Sequence, residues 1–437
     1  MVATPLMFLT LSIIAIGVTI ILLLLVLFEQ GLKYHVTAPE HPLESDPFLC
    51  LLGALADAQV HVDSRVEVLT NGHAFYESQL AAIRAAKKSV NLEAYIFRKG
   101  EIGRRFVEAL TERARAGVKV NVVVDAIGSF ATSNAFFAPL RNAGGRVCWY
   151  QPIRWYTLKR FNNRTHRELL VVDGEVGFIG GAGIGDNWLT GEKGEPAWRD
   201  TVVRITGDLV LGLQVTFAEN WLEAQDEILT GDEYFPACSQ MSRNDEPDQP
   251  SPERAGGLVV ISAPSAGRST RARVLFQTLL ASAKESIQIN SPYFLPDRSA
   301  QRELINAAGR GVKVTIITPG DHADHLMTRR ASRRRYGELL KAGIEIHEYQ
   351  PAMIHVKALV IDGVWSVVGS TNFDNRSFGI NDEVNLAASC RPLASRLRED
   401  FLRDLQASQQ ITLEMWHRRP LSERIVETLD RIIERQQ

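Results

Sequence analysis

An internal repeat is the feature of this 437-residue chain that most constrains its fold. Four sequence patterns occur twice in the same order, at an offset of about 190–200 residues. A shared order of this kind indicates that one domain was duplicated. The matching segments are AKKSV from Ala86 and AKESI from Ala283, AGVKV from Ala116 and RGVKV from Arg310, NAG from Asn142 and KAG from Lys341, and THRELLVVDGEVGFIGG from Thr165 and IHVKALVIDGVWSVVGS from Ile354.

Each copy alternates strand-like and helix-like patterns. In the first copy, Gln79–Lys87 is helix-like and Val90–Phe97 has the apolar alternation of a strand. Val118–Val124 is a continuous β-branched run, typical of a strand covered on both faces. The alternation predicts the α/β class, as two tandem α/β/α sandwich domains with mixed sheets. Between the two strands, Gly103–Ala116 predicts an amphipathic helix with one stripe formed by Phe106, Ala109, Leu110 and Ala114.

The repeat also sets the predicted domain boundaries. The first domain spans residues 63–238 and the second spans residues 257–396, with a polar, Pro-rich linker over residues 239–256. Residues 31–62 are predicted to be a further linker. Residues 397–437 match nothing in the repeat and predict a helical tail, whose last apolar face contains Ile425, Leu429, Ile432 and Ile433.

The first thirty residues predict a transmembrane anchor. No charged side chain occurs from Met1 to Phe28, and about 20 apolar residues in a helix span a bilayer core. A cleaved signal peptide is disfavoured because no basic residue precedes the apolar run and no small-residue cleavage site follows it. Lys33 follows the span, which favours a body on the cytoplasmic side of a single-pass anchor.

Composition excludes several other classes. The 49 basic and 51 acidic residues nearly cancel, which argues against a general nucleic-acid binder. The four cysteines are far apart, without a CxxC pair or a Cys/His cluster, so no metal-site spacing is present. We therefore expect no metal or other cofactor, and reduced, mostly buried thiols.

The second copy carries polar residues that suit a phosphate diester. His355 and Lys357 are two residues apart in a strand pattern, so their side chains share a face. Histidine is a nucleophile or general acid/base near neutral pH, while lysine and asparagine can hold an anionic oxygen. Ser370 and Asn372 follow on the next strand or turn, after Asp362.

The first copy repeats part of this set. A lone histidine in a strand is usually structural. Here His166 and Asp173 recur with the spacing of the second copy, and Gly180-Gly181 follows at the same distance. The recurrence favours a shared functional site over two independent structural histidines.

The pattern HxKx4D followed by GSxN, complete in one copy and partial in the other, resembles the phospholipase D superfamily. With the N-terminal apolar run, the chain is similar to bacterial cardiolipin synthases. The resemblance runs from about Val66 to Ala388 and includes LEAYIF at Leu92, WRDTVVRITG at Trp198 and NDEVN at Asn381. It implies two domains packed about a pseudo-two-fold axis, with both histidines meeting at one metal-independent site.

The resemblance also implies roles for individual residues. His166 would be the nucleophile that forms a phosphohistidine, and His355 the general acid and later the base. Lys357 and Asn372 would hold the non-bridging phosphoryl oxygens, with Ser370 beside them. Two further pairs complete the expected site: Glu383 and Asp200 are candidates to orient the imidazoles, and Asp173 and Asp362 to stabilise the motif turns.

Two positions in the first copy depart from the family pattern. Glu168 stands where a lysine is expected, and Gly183 where an asparagine is expected. A carboxylate about 4 Å from a phosphate, at an effective dielectric near 20, costs roughly 4 kcal/mol. Three interpretations remain open. Glu168 pairs with a cation such as Arg167, Arg164 or Lys357; it acts as an acid/base or as a receptor for a substrate hydroxyl or amine; or the first half is catalytically degraded.

Two segments predict contact with anionic phospholipid. Basic residues interleaved with aromatic residues suit a lipid headgroup layer, although a nucleic-acid channel uses the same mixture. One segment contains Arg154, Trp155, Tyr156, Lys159, Arg160, Phe161 and Arg164, and the other is the arginine-rich run His325–Arg335. The alternative for the second segment is a solvated helix face.

The sequence thus predicts a membrane-anchored enzyme of a bacterial inner membrane that transfers phosphatidyl groups between phospholipids, as a cardiolipin synthase does. The expected partners are phospholipid substrates and the membrane, without nucleic acid or an obligate protein partner. One alternative is a phosphodiesterase that hydrolyses phospholipid or nucleic acid. The other, motivated by Glu168 and Gly183, is a catalytically inert membrane scaffold.

Overall fold

The computed structural model describes residues 10, 12–19, 34–152, 162–191, 194–236, 255–264 and 270–419. Within these ranges the strands form one 15-stranded mixed sheet. In chain order they are β1 (His61–Thr70), β2 (Ser89–Ala94), β3 (Lys119–Asp125), β4 (Arg146–Tyr150), β5 (Leu169–Val172), β6 (Val176–Gly180), β7 (Thr201–Gly207), β8 (Ala255–Ser262), β9 (Ser286–Asn290), β10 (Lys313–Pro319), β11 (Glu345–Tyr349), β12 (Ala358–Ile361), β13 (Trp365–Gly369), β14 (Glu383–Ser389) and β15 (Ser408–Ile411).

Helices cover the sheet in both halves of the chain. In chain order the α-helices are Asp46–Ala56, Asn71–Ala85, Glu101–Arg115, Ala138–Asn142, Leu209–Gln225, Arg271–Ser282, Arg298–Gly309, Leu326–Lys341, Asn375–Gly379, Arg391–Gln406 and Leu413–His417.

The strand order repeats on the two sides of the sheet centre, where β1 pairs antiparallel with β8. Reading outward, the first half has the order β1-β7-β6-β5-β2-β3-β4, and the second has β8-β14-β13-β12-β9-β10-β11. In each half the last three strands are parallel and the others antiparallel. The sequence repeat is therefore also a repeat of topology, and the prediction of a mixed α/β fold is confirmed.

The first half shows how sequence pattern and burial agree. The predicted amphipathic helix is the helix Glu101–Arg115, and all four residues of its apolar stripe are buried. The apolar alternation in β2 predicts a strand with one exposed face, but every residue from Ser89 to Ala94 is buried. The helix Leu209–Gln225 covers the second face of this strand, where its Gln214 accepts a hydrogen bond from Asn91 Nδ2 at 2.9 Å.

The segment 31–62, predicted as a linker, contains a packed helix. Ser45 caps the helix Asp46–Ala56 by accepting a hydrogen bond from the backbone N–H of Phe48. Phe48 and Leu52 are fully buried in the core of the second half, where the Trp365 indole donates to the carbonyl of Leu43. This segment is thus part of a domain core, because its apolar face completes the burial of β8 and the helix Arg271–Ser282.

The predicted tail, residues 397–437, also contributes to the sheet. The helix Arg391–Gln406 begins before residue 397, and β15 follows it and pairs antiparallel with β11. Residues 420–437, which include the predicted last amphipathic face, lie outside the described residues.

Other predictions fall wholly or partly outside the described ranges. The predicted anchor is described only at residues 10 and 12–19, which are helical, and no helix in the described part of the chain is long and apolar enough to cross a membrane. Of the predicted linker 239–256, only Ala255 and Gly256 are described, and they begin β8. Cys148 and Cys390 are buried free thiols, as expected, but Cys50 is exposed.

Candidate active site

Two equivalent turns, between β5 and β6 and between β12 and β13, lie after the two histidines in the chain and hold the neighbouring strands in place. Asp173 accepts hydrogen bonds from the backbone N–H groups of residues 87–89, and Asp362 from those of residues 284–286, at 2.7–3.1 Å. Both aspartates have a positive φ, 56° and 52°, and a glycine follows each of them. The structure thus places Asp173 and Asp362 in turns that tie one β-hairpin of each half to the start of a neighbouring strand.

Short backbone bridges hold the two halves together beside the histidines. Thr165 pairs with Asp382 and Arg199 with Ile354, each as an isolated parallel bridge. The His166 N–H donates to the carbonyl of Asp382 at 2.9 Å, and the His355 N–H donates to the carbonyl of Arg199 at 2.7 Å. Each histidine backbone is therefore anchored to the opposite half of the chain.

The His166 imidazole is oriented by a carboxylate from the second half. Its Nδ1 lies 3.1 Å from both carboxylate oxygens of Glu383, which is fully buried at the start of β14. Ser370 donates its hydroxyl to Glu383 and accepts the N–H of Val384 at 3.0 Å. With Nδ1 engaged, the other ring nitrogen, Nε2, is left for chemistry.

The His355 imidazole is oriented by a carboxylate from the first half. Its Nδ1 lies 3.0 Å from Oδ2 of Asp200, a fully buried residue of the first half. The indole N–H of Trp188 donates to the same oxygen at 2.9 Å, and the Thr201 N–H donates to the other oxygen at 2.8 Å. Asp200 is thus held rigidly and in turn fixes the ring of His355.

Lys357 lies against His355 in the buried centre of the site. Its Nζ is 3.1 Å from both ring nitrogens of His355 and 3.2 Å from the His355 carbonyl oxygen. Burial lowers the pKa of Lys357, whereas the carboxylates of Asp200 and Glu383 raise it. Both histidine-bound carboxylates thus act on the charge of this one ammonium.

The pKa of His355 is lowered by burial first and then by the adjacent Lys357 ammonium. The hydrogen bond to Asp200 and the charge of that carboxylate act in the opposite direction. A lowered pKa favours the neutral imidazole in the unliganded protein.

Asn372 has an unused hydrogen-bonding group in the same region. Its Oδ1 is buried and has no hydrogen-bond partner among the described residues. A buried acceptor without a partner is costly unless a ligand or water donates to it. A phosphoryl oxygen is itself an acceptor, so the expected contact of Asn372 with a bound phosphoryl group would use its Nδ2 and leave Oδ1 for a donor such as a hydroxyl.

Glu168 and Gly183 form one local arrangement in the first half. Glu168 is buried, and its Oε1 accepts the backbone N–H of Ile96 at 3.1 Å. A Cβ placed on Gly183 would lie 2.8 Å from the Cβ of Ile96 and 2.9 Å from that carboxylate oxygen. An asparagine would clash there, so the carboxyl group of Glu168 occupies space that the family's asparagine would need.

Burial raises the pKa of Glu168 well above its ordinary value, against the lowering effects of the Ile96 hydrogen bond and the Lys357 charge. A raised pKa favours the protonated, neutral form of a carboxyl group, which reduces the repulsion between Glu168 and a bound phosphodiester.

Two cations proposed to neutralise Glu168 are engaged elsewhere. Arg167 is fully buried and donates to Glu219 and to the carbonyl of Thr216. Arg164, which was also expected in a lipid-facing segment, is 2% exposed and lies 3.4 Å from Asp125. That expectation is wrong for Arg164, because it serves an internal ion pair. The rest of the segment, residues 153–161, lies outside the described residues.

Several residues near the histidines were missed by sequence reasoning. The Tyr95 ring packs edge-on 5.2 Å from the His166 ring, and the Trp188 and Trp198 rings each lie 5.5 Å from His355. Burial raises the pKa of Asp374 to about 6, with a smaller rise from the charge of Glu383. Tyr95 and Trp198 lie in the family-like segments LEAYIF and WRDTVVRITG, so those segments could have indicated them.

The site has no evident metal ligands in the part of the chain that the structure describes, where no three His, Cys, Asp or Glu side chains are grouped to hold an ion. The polar side chains described at the site are two carboxylate-held imidazoles, a lysine and an amide. This set fits nucleophilic attack on phosphorus, proton transfer and stabilisation of an anionic oxygen.

A duplicated α/β fold whose halves each contribute one histidine to a shared site defines the class of phospholipase D-like proteins. The chain belongs to the family described as cardiolipin synthase, PLD-like domain, whose model matches residues 80–195 and 276–405.

Individual relatives agree with this assignment. A cardiolipin synthase of Geobacillus kaustophilus (strain HTA426) is 35% identical over 388 residues, which cover 89% of this chain and 75% of the relative. Cardiolipin synthase 2 of Bacillus anthracis is 32% identical over 406 residues, 92% of this chain and 77% of the relative. The crystal structure of phosphatidylserine synthase from Haemophilus influenzae Rd KW20 has the same fold, with a TM-score of 0.66 and 16% identity over 89% of this chain and all of that one.

Proposed function

We propose that this protein is a phosphatidyltransferase that makes cardiolipin from phospholipid through a phosphohistidine. The observation that carries the proposal is the crossed pairing of His166 with Glu383 and of His355 with Asp200, around the single ammonium of Lys357. The names of the relatives supply the substrate class, a phosphatidyl donor with a lipid alcohol as acceptor.

In the first step, Nε2 of His166 attacks the phosphorus of a phosphatidylglycerol. The bond between phosphorus and the glycerol headgroup oxygen breaks, and His355 gives that oxygen a proton, so glycerol leaves. Lys357 and Asn372 hold the non-bridging oxygens. Glu383 stabilises the positive charge that develops on the His166 ring.

In the second step, the headgroup hydroxyl of a second phosphatidylglycerol attacks the phosphohistidine. His355, now neutral, accepts the hydroxyl proton, the phosphorus–nitrogen bond breaks, and cardiolipin is released. His166 is freed, and His355 again carries the proton that it gained when the first lipid bound, so each later turnover balances without a net uptake of protons.

The repeated strand order supports a pseudo-two-fold arrangement of two domains, 63–238 and 257–396, with the site on the axis between them. We also propose that residues 1–30 anchor the chain in a bacterial inner membrane as a single pass, with the body in the cytoplasm. The apolar run and Lys33 support this part of the proposal.

One experiment separates the candidate functions. The detergent-solubilised full chain would be incubated with phosphatidylglycerol, with and without added alcohols, and the products read by mass spectrometry. Cardiolipin and glycerol, absent with His166→Ala and with His355→Ala, are the expected result. Phosphatidic acid as the sole lipid product would indicate a hydrolase, and no product under any condition would favour the inert scaffold.

A further inference from the structure

Three exposed apolar side chains follow two equivalent strands. Phe130 is 83% exposed in the loop after β3, and Leu326 and Met327, the first two residues of the helix after β10, are 54% and 41% exposed. β3 and β10 hold corresponding places in the two halves of the sheet. Apolar side chains gain free energy when they are transferred out of water into an apolar phase.

The loop that carries Phe130 is attached to the His166 side of the site. Asp125 accepts the N–H of Gly128 at 2.9 Å through one oxygen and that of Thr165, the neighbour of His166, at 3.2 Å through the other. Ser129 donates its hydroxyl to the carbonyl of Tyr95, whose ring contacts His166. Phe130 is the next residue, so it projects from a loop fixed to the site wall.

The segment before Leu326 is attached to the Asn372 side of the site. Asp324 accepts the hydroxyl of Tyr293, and the Tyr293 carbonyl accepts the hydroxyl of Ser291 at 2.8 Å. Ser291 in turn accepts the N–H of Phe373, the neighbour of Asn372, at 3.0 Å. Leu326 follows Asp324 by two residues and begins the helix Leu326–Lys341, whose Arg330 is exposed in its first turns.

The segment leading from the predicted anchor contacts a third loop of the same region. The backbone N–H of Tyr34 donates to the hydroxyl of Ser299, and the Tyr34 hydroxyl donates to the carboxylate of Asp297, each at 3.4 Å. Asp297 ends the loop after β9, in which Leu295 donates its N–H to the carbonyl of Phe373, next to Asn372. A membrane anchor ending before Tyr34 would therefore enter the body beside the site.

We propose that Phe130, Leu326 and Met327 insert into the surface of a phospholipid bilayer, so that the site opens at the level of the headgroups. This inference rests on the proposed function and adds the surface through which the substrate enters. Isolated apolar side chains beside an exposed arginine suit the interface between headgroups and acyl chains. A protein partner would instead be expected to cover a contiguous apolar patch.

The first test measures depth in the membrane and does not depend on catalysis. Phe130→Trp and Met327→Trp would be made in the full chain, reconstituted into phosphatidylglycerol-containing vesicles with brominated acyl chains. We expect the fluorescence of each added tryptophan to be blue-shifted and quenched relative to the unsubstituted protein. Emission unaffected by bromination would overturn the proposal. So would a shift that appears without vesicles and grows with protein concentration, because that would indicate contact with a second copy.

Ile228 offers the matched control. Ile228 is 69% exposed, and the adjacent Glu227 pairs with Arg146 at the amino end of β4. Phe130 follows the carboxyl end of β3, which is parallel to β4. The two residues therefore lie at opposite ends of these strands. Ile228→Trp should therefore show no quenching by brominated lipid.

The second test uses turnover. We expect the triple variant Phe130→Ser, Leu326→Ser, Met327→Ser to need about tenfold more bilayer phospholipid for half-maximal rate. Its kcat/KM for a dispersed short-chain phospholipid should stay unchanged, and Ile228→Ser should match the original protein on both substrates. Equal losses on both substrates would contradict the insertion. If no phospholipid is turned over at all, the proposed function fails, while the quenching result still decides the insertion.

Discussion

The single residue that most alters this site relative to its family pattern is Glu168. Its carboxyl group is turned onto the backbone N–H of Ile96, in space that Gly183 leaves open. Lys357 is the corresponding residue of the second half and keeps the cationic role. The two departures of the first copy thus compensate each other sterically, and under the proposed function phosphate binding would rest on the second half.

Glu168→Gln should stabilise the protein at neutral and higher pH. Burial raises the pKa of Glu168 in the folded chain, so the folded state binds more protons than the unfolded state above the unfolded pKa. The stability contributed by Glu168 therefore falls with rising pH until the folded pKa is reached, by up to about 1.4 kcal/mol per pH unit. Urea unfolding at pH 5 and pH 8 should show that the advantage of the glutamine variant grows with pH.

The control for this measurement is Glu112→Gln, since the Glu112 side chain is 60% exposed. It should leave stability nearly unchanged at both pH values. If Glu168→Gln instead became less stable relative to the original protein as pH rises, Glu168 would be held as an anion.

His355 should gain a proton when a phosphodiester binds. Its pKa is lowered in the free protein by burial and by Lys357, and an anionic ligand beside them favours the imidazolium. The loss of rate at high pH should then occur at a lower pH in kcat/KM, which reports the free enzyme, than in kcat. Initial rates from pH 5 to pH 9 measure both. Coincident profiles would mean that the ligand does not act on the pKa of His355.

The residues of the candidate site could be predicted where motif spacing identified them. The HxK and GSxN patterns indicated His355, Lys357 and Asn372, and the internal repeat indicated His166; the structure brings both histidines to carboxylates that the resemblance also indicated. The orientation of Glu168 could not be predicted, because it depends on a backbone N–H 72 residues away in the chain and on the space above Gly183.

At the scale of elements, the N-terminal helix Asp46–Ala56 is the main surprise. It belongs to the core of the second half although it precedes the first half in sequence. The repeat offered no signal for it, because no equivalent segment was matched before the second copy. β15 was missed for a similar reason, since it lies beyond the last matched pattern. By contrast, the helix Glu101–Arg115 and β3 lie within two residues of their predicted limits, because their apolar patterns are long and regular.

Phe48→Ala should destabilise the second half strongly. Phe48 is fully buried, and its ring packs edge-on against that of Trp365, with 5.8 Å between the ring centroids. Removing a buried phenyl ring costs about 3–5 kcal/mol. Urea unfolding followed by tryptophan fluorescence would measure the loss. Leu55→Ala, on the same helix but 45% exposed, should cost less than about 1 kcal/mol. Equal effects would mean that the helix does not dock on the core.

At the scale of the whole molecule, the crossed carboxylates make each half depend on the other. Glu383→Gln and Asp200→Asn should each lower kcat by about 10²- to 10⁴-fold, because the imidazoles lose the anion that orients them and stabilises their charged form. KM should change little, since neither carboxylate is placed on the substrate.

Steady-state kinetics with phosphatidylglycerol vesicles would measure both parameters. Glu414→Gln, with a side chain 70% exposed, is the matched control and should be indistinguishable from the original protein. If Asp200→Asn kept full kcat, Asp200 would have only a structural role, as an acceptor for Trp188 and Thr201.

The continuous sheet joined at β1 and β8, with its crossed histidine pairs, bears on how the gene can vary over time. Gene duplication ordinarily leaves one copy free to lose function. Here a loss of the histidine or carboxylate in either copy removes a partner from the other, so selection acts on both copies at once. We expect drift to be tolerated at positions such as 168 and 183, where one half can change its own side chains while the imidazole held by the other half stays in place.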